Sequence, residues 1–153
     1  MKVSQFMKTN VIVAKKDSSV KETLETLVQH KIGGVPIVDN ENKLVGIVSD
    51  GDLLRFVNPN EESVYDFFTF VFYNPKEELL DSLKRRTHEP LSHVIKHHQK
   101  VMTLQPHEDM EKALAILAKY HYKRIPVVDN EGKVVGIISR GDILREINQI
   151  IID

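Results

Sequence analysis

The chain has 153 residues, with 21 Lys+Arg against 22 Asp+Glu and so a formal net charge of −1, and it has no cysteine. That size is one or two small domains. Zero Cys excludes a disulfide frame and thiol chemistry and argues against secretion, while the balanced charge excludes the basic footprint of a duplex-binding protein.

Hydrophobic residues make up 41% and charged ones 28%, and no apolar run approaches the roughly 18 residues that span a bilayer. A soluble, cytoplasmic protein with a packed core is expected. Met1 to Phe6 has a positive charge but no apolar segment behind it, so no signal peptide is read there.

In chain order, Val11-Ile12-Val13 is a short β-branched run predicted as a strand. Asp17 and Ser18 are offered as N-caps for a helix carrying Val20, Leu24, Leu27 and Val28 at helical spacing. Val35-Pro36-Ile37-Val38 predicts a strand that either lies at an edge or leaves its proline nitrogen unpaired. Asp39-Asn40-Glu41-Asn42 is a turn, and Leu44 to Val48 returns as the second arm of a hairpin. After Ser49, the spacing of Leu53, Leu54 and Val57 predicts a second helix. The unit reads β-α-β-β-α.

The stretch 59–90 differs in composition. Six of the ten aromatic residues fall between Tyr65 and Tyr73; Val64, Phe67, Phe68, Val71 and Phe72 fit a helix face, and Phe68, Phe70 and Phe72 fit a strand, so both readings stand. Asn74-Pro75-Lys76-Glu77-Glu78 is a helix start that should run to about Arg86. His88-Glu89-Pro90 breaks it, and a short helix is predicted from Leu91 to His98.

Displacing the chain against itself by 90 residues aligns Ile32–Arg55 with Tyr122–Arg145, and 14 of the 24 positions are identical. Val20, Leu24 and Leu27 fall on Met110, Leu114 and Leu117 at the same offset, so the second copy repeats the unit from Val101 to about Ile150. Two copies are too few for a solenoid and predict a pseudo-twofold pair. The organisation is therefore repeat 1 over 1–58, an aromatic-rich insert over 59–90 and repeat 2 over 91–153.

Each repeat carries a strand-to-helix junction, Gly46-Ile47-Val48-Ser49-Asp50-Gly51-Asp52 and Gly136-Ile137-Ile138-Ser139-Arg140-Gly141-Asp142. Ser-x-x-Asp reads as a capping box, in which hydroxyl and carboxylate satisfy each other's backbone N–H. The same geometry suits a nucleotide: the helix N-terminus faces an anion, Gly51 and Gly141 permit close approach, and a carboxylate accepts two hydrogen bonds from a ribose diol. The two readings do not exclude each other.

Ile-Pro-Val-Val-Asp, a turn, then Gly-Ile-Ile-Ser-Arg-Gly-Asp-Ile-Leu, with its counterpart in the first repeat, resembles the CBS (cystathionine β-synthase) domain family, and the duplication resembles its tandem pair, the Bateman module. The resemblance implies an α/β (α+β) fold of two packed β-α-β-β-α repeats and a regulatory, non-catalytic role. It also implies clefts for adenosine ligands: AMP, ADP, ATP or S-adenosylmethionine. By the same resemblance Asp52 and Asp142 hold ribose, and Ser49 and Ser139 contact ribose or phosphate. Backbone around Val35 and Ile125, with Val11, Ile12, Val101 and Met102, lines the adenine pocket.

Family members place basic residues before the proline-containing strand; repeat 2 has Lys123, Arg124 and, in the loop, Arg140, where repeat 1 has Gly33, Gly34 and Asp50. Arginine's planar fork suits phosphate and Asp50 repels it, so unequal clefts are expected; apart from the resemblance, the three bases read equally as a solvated face.

His93 and His97, four apart with His98 adjacent, are read as exposed helical histidines rather than metal ligands. Lys84-Arg85-Arg86 is read as complementing a helix C-terminus. The aromatic insert is either a satellite core or a partner surface. Three function classes follow: an adenine-nucleotide sensor, expected to be a homodimer that modulates a partner or its own assembly; a structural or interaction module with degenerate clefts; and an enzyme. Against the last stand the missing Cys and the missing Gly-rich, Lys-bearing phosphate loop.

Overall fold

The computed structural model describes residues 1–59, 75–95 and 100–153, the side chains of 75–77 excepted. The aromatic stretch Tyr65 to Tyr73, with His97 and His98, lies outside the described residues.

The elements in chain order are a 3-10 turn (Val3–Gln5), β1 (Ala14–Lys15), α1 (Val20–His30), β2 (Gly34–Val38), β3 (Leu44–Ser49), α2 (Asp50–Val57), α3 (Pro75–Arg86) and a second 3-10 turn (Leu91–His93). Then follow α4 (Met110–Lys119), β4 (Arg124–Val128), β5 (Val134–Ser139) and α5 (Arg140–Ile152). The fold is a mixed α+β one, with a three-stranded sheet in the order β1-β2-β3 and a two-stranded sheet of β4 and β5.

The predicted strand over Val11–Val13 does not form; only Ala14 and Lys15 pair. In the second repeat, pairing on that side of the sheet is a single parallel bridge, Leu104 to Val127. Proline is the reason. Leu104 N–H donates to the Pro126 carbonyl at 3.1 Å and Val128 N–H to the Leu104 carbonyl at 2.9 Å, so the next bond toward the N-terminus needs a donor at Pro126, which has none. Pro36 occupies the corresponding place in β2, which is a central strand with all five residues buried. Val11 and Val13 instead pack against Val38, Val128 and Val134.

The compact units cross the boundaries of the sequence repeats. The first comprises residues 1–13, 38–46 and 100–153, and the second 14–37 with 47–99. In the first, Val3 N–H donates to the Glu108 carbonyl at 2.8 Å and Met110 N–H to the Met1 carbonyl at 2.9 Å. Lys2 Nζ meets Asp109 at 2.7 Å. Met1's carbonyl thus serves the N-terminus of α4, whose N-cap Asp109 makes no side-chain cap bond. In the second unit the pattern recurs: Leu91 N–H donates to the Ser18 carbonyl at 2.9 Å and Val20 N–H to the Glu89 carbonyl at 2.8 Å. The segment leading into each repeat therefore serves the first helix of the other repeat.

Val3 is fully buried in a core with Leu104, Ile125, Val127, Ile138 and Ile143. Leu91 is as fully buried in the second unit, whose core residues include Val20, Val35, Ile37, Val48 and Leu53. The predicted helix from Leu91 to His98 begins as this 3-10 turn.

Three local expectations change in detail. The cap of α1 is Ser19, not Asp17 or Ser18: its hydroxyl accepts from Glu22 N–H at 3.0 Å and Glu22 reaches back to Ser19 N–H. Leu54, expected on the buried face of α2, is 66% exposed, while Leu53 and Val57 are buried. Helix α3 forms as predicted, but Arg86 works on α2. It donates to the Phe56 carbonyl at 2.8 Å and lies over the Phe56 ring, and buried Ser82 donates to the Val57 carbonyl at 2.8 Å. These donors satisfy carbonyls that a helix C-terminus leaves open.

Both hairpin turns are built alike. Asp39 Oδ1 accepts from the N–H groups of Glu41 and Lys43, and Asp129 Oδ1 from those of Glu131 and Lys133. The left-handed position is Asn42 (φ 64°) in one and Gly132 (φ 80°) in the other, the residue types that tolerate it.

Candidate functional site

In the first unit, β5 ends at Ser139 and α5 begins at Arg140. Asp142 Oδ2 accepts from Ser139 N–H at 2.7 Å and from Ser139 Oγ at 2.8 Å, and Ser139 Oγ in turn accepts from Asp142 N–H at 3.3 Å. The capping box is complete. Asp142 Oδ1 is held by the Arg145 guanidinium and by Lys8 Nζ, the latter at 3.4 Å. The carboxylate is 5% exposed, accepts three hydrogen bonds and carries the longer Lys8 ion pair besides. Burial pushes its pKa up; the Ser139 N–H and hydroxyl, Lys8 and Arg145 outweigh this and hold it below the ordinary 3.8.

Three basic residues have their backbone at this junction. Arg140 N–H donates to the Lys123 carbonyl at 3.1 Å, tying the start of α5 to the residue before β4. Arg124 stands opposite Ser139 in the β4–β5 ladder. The Arg140 guanidinium turns to the Tyr120 carbonyl at 3.3 Å, beside a tilted Tyr120–Tyr122 ring pair 5.8 Å apart. Lys123 and Arg140 are exposed, Arg124 is half-buried, and Ile125 is fully buried. Met102 packs partly against the Val3–Ile138 core; Val101, Val11 and Ile12, all in this unit, are half-buried.

The junction of the second unit repeats the scaffold and changes its charge. Asp52 Oδ2 accepts from Ser49 N–H at 2.9 Å and Ser49 Oγ at 3.0 Å, and Oδ1 from Arg55 at 2.9 Å. Asp50 N–H donates to the Gly33 carbonyl at 2.8 Å, as Arg140 does to Lys123. The Asp52 carboxylate, however, is 34% exposed, and the Asp50 carboxylate accepts from Gly51 N–H at 2.7 Å. An anion of the protein thus occupies a donor that a phosphate needs at this helix N-terminus. Gly34 and Val35 are buried there.

Of the two junction glycines, only Gly51 sits tightly against its arginine. A Cβ at Gly51 would meet Arg55 Nη1 at 3.1 Å, and one at Gly141 would meet Arg145 Nη1 at 3.5 Å. These arginines follow the aspartates by three residues in both repeats, a helical ion-pair spacing visible in the sequence. Lys8 carried no such signal, because 134 residues separate it from Asp142. Its backbone is fixed by mutual bonds with Ile137, 3.0 Å each way, and a Cβ on Gly136 would lie 2.4 Å from Met7 Sδ. His93 pairs with Glu89 at 3.5 Å. Among the described residues no cluster of three or more His, Cys, Asp or Glu is placed to hold a metal, and no helix is long and apolar enough to cross a membrane.

Comparison with known proteins fits this geometry. The chain is 34% identical over 97% of its length to the CBS domain-containing protein CBSX1, chloroplastic, of Arabidopsis thaliana, and spans 64% of that relative. It is 33% identical over 89% of its length to inosine-5'-monophosphate dehydrogenase of Aquifex aeolicus, of which it spans 22%. The crystal structure of CBSX2 in complex with AMP superposes with a TM-score of 0.73 at 30% identity, covering 97% of each chain. The CBS domain model matches residues 3–59 and 91–149, one stretch for each capped strand-to-helix junction, and the chain belongs to the CBS domain family as a tandem pair.

Proposed function

We propose that this protein is a regulatory adenine-nucleotide-binding CBS pair, a sensor whose ligand (AMP, ADP or ATP, with S-adenosylmethionine as the competing candidate) modulates a partner or its own assembly. The observation that carries it is the α5 junction, where Ser139 and Asp142 stand among Lys123, Arg124 and Arg140; the AMP held by CBSX2, a 30% identical chain, supports the choice of ligand. Asp142 holds the ribose, Ser139 the ribose or phosphate, and Lys123, Arg124 and Arg140 the phosphate. Backbone around Ile125, with Val101, Met102, Val11 and Ile12, receives the adenine. At the other junction Ser49, Asp52, Gly34 and Val35 form a weaker counterpart, because Asp50 repels phosphate.

The role is regulatory and not enzymatic, since the similarity to inosine-5'-monophosphate dehydrogenase spans 22% of that enzyme. The compartment we propose is the cytoplasm, checked by fractionation, although CBSX1 is chloroplastic. We also place the protein in a homodimer: Leu54 and Leu144, equivalent in the two repeats, are each 66% exposed, and Leu144→Asp should halve the mass seen by light scattering.

A second reading, a structural module with degenerate clefts, is favoured by the occupation of Asp142, whose three hydrogen bonds and Lys8 ion pair already engage the carboxylate a ribose would need. A thermal-shift panel of AMP, ADP, ATP, adenosine and S-adenosylmethionine separates the two. At 100 times its dissociation constant a ligand adds about 2.7 kcal/mol, and no shift with any of them sinks the sensor. Hydrolysis of a nucleotide on prolonged incubation would overturn the non-enzymatic role.

A further inference from the structure

A ribose hydroxyl needs an open acceptor position on Asp142; Ser139 N–H, Ser139 Oγ and Arg145 fill three with hydrogen bonds, and Lys8 Nζ stands over the remaining one at 3.4 Å. Ser139 N–H is backbone and cannot leave; Ser139 Oγ is held in the capping box; Arg145 lies one helical turn away on the same helix. Lys8 differs in three respects. Its contact, at 3.4 Å, is an ion pair longer than a hydrogen bond, its side chain is 61% exposed, and it comes from another segment of the chain on a flexible four-carbon stem. Its main chain, by contrast, is fixed to Ile137 in both directions, so the ammonium can leave Asp142 without the segment leaving β5.

We propose that Lys8 is the displaceable fourth donor of Asp142: an incoming ribose expels its ammonium, which then pairs with the nucleotide's phosphate, making Lys8 the residue that sets preference for phosphorylated over unphosphorylated nucleosides. The inference rests on the reading of Asp142 as the ribose-holding carboxylate. Adenosine must expel Lys8 into water and receives nothing back, whereas AMP offers the expelled cation an anion. The lysine thereby penalises the nucleoside and rewards the nucleotide at one site.

The test is calorimetric titration of the full chain with AMP and with adenosine, using wild type, Lys8→Met, Lys8→Arg and Asp142→Asn. Lys8→Met should lower the ratio of AMP affinity to adenosine affinity by at least about fivefold, with adenosine unchanged or tighter. Lys8→Arg should keep most of that ratio, and Asp142→Asn should weaken both ligands. If Lys8→Met changes both affinities by the same factor, Lys8 is a structural tether and the inference fails while the nucleotide site stands. If wild type binds neither ligand, or Asp142→Asn binds both undiminished, the reading of Asp142 fails and takes this inference with it.

Discussion

The duplicated Ser-x-x-Asp junction supplies its own control, because Asp52 and Asp142 make the same capping box in different surroundings. Replacing either by Ala removes an N-terminal capping arrangement, which costs about 1 kcal/mol. At Asp52 the loss should stop near that figure: its carboxylate is 34% exposed, so water reaches Ser49 N–H once the acid is gone. At Asp142 the carboxylate is 5% exposed beneath Lys8 and Arg145, so water reaches Ser139 N–H, whose bond to the acid is 2.7 Å, less readily once the acid is gone. A stranded buried donor adds about 1–3 kcal/mol. Asp142→Ala should therefore cost about 3 kcal/mol against about 1 kcal/mol for Asp52→Ala. For a chain of this length that is about 6–12 °C against about 2–4 °C in melting temperature. Urea unfolding followed by far-UV circular dichroism, without nucleotide, measures both. Equal losses, or a larger one at Asp52, would refute the claim that burial and Lys8 make the second junction the more tightly built.

The pH dependence follows from the lowered pKa of Asp142. Its folded value lies below 3.8, so its contribution is fully present above 3.8 and is lost as pH falls through the folded value; the urea-midpoint gap between wild type and Asp142→Asn should hold from pH 7 to 5 and narrow below about pH 4. Gly136→Ala places a Cβ 2.4 Å from Met7 Sδ and 3.3 Å from the Lys8 carbonyl and should cost about 1–3 kcal/mol. Adding Met7→Ala should recover part of this, and strict additivity of the two changes in unfolding experiments would contradict the contact. Ser82→Ala removes the buried donor to the Val57 carbonyl and should cost about 1–2 kcal/mol, read from the thermal melt; no change would mean that water replaces the hydroxyl.

The offset of 90 residues made the two junctions, their capping boxes and the hairpins legible, because each depends on residues within a few positions of one another. Helix α3 was equally legible from Asn74-Pro75 and its acidic first turn. What sequence reasoning missed depends on partners far along the chain. Val11–Val13 has the composition of a strand, yet whether it pairs is decided by the missing N–H of a proline in the neighbouring strand, seen directly at Pro126. Leu54 fits helical spacing, but the face that α2 buries is set by Leu53 and Val57 and by the cover of Ser82 and Arg86 on α3. Lys8 has no local signature, and only the pairing of its backbone with Ile137 brings it to Asp142.

The exchange of leading segments gives the duplication a physical consequence. A repeat of about 55 residues buries little surface by itself, and each repeat here completes its first helix with backbone from the segment at or just before the start of the other: Met1 and Val3 at α4, Glu89 and Leu91 at α1. A capping carbonyl and a fully buried Val3 or Leu91 come together in each exchange, so neither repeat closes its core without the other. The exchange also lets two nearly identical junctions diverge. Repeat 2 gains a cation at Asp142 that its own sequence does not contain, delivered by residue 8, while repeat 1 turns Asp50 onto its own helix N-terminus. Charge at the α5 junction is thus a property of the first unit and not of the second repeat alone. A comparison of residues 123, 124 and 140 with 33, 34 and 50 captures only part of the asymmetry, because one of the two cations paired with the buried carboxylate comes from the opposite end of the chain.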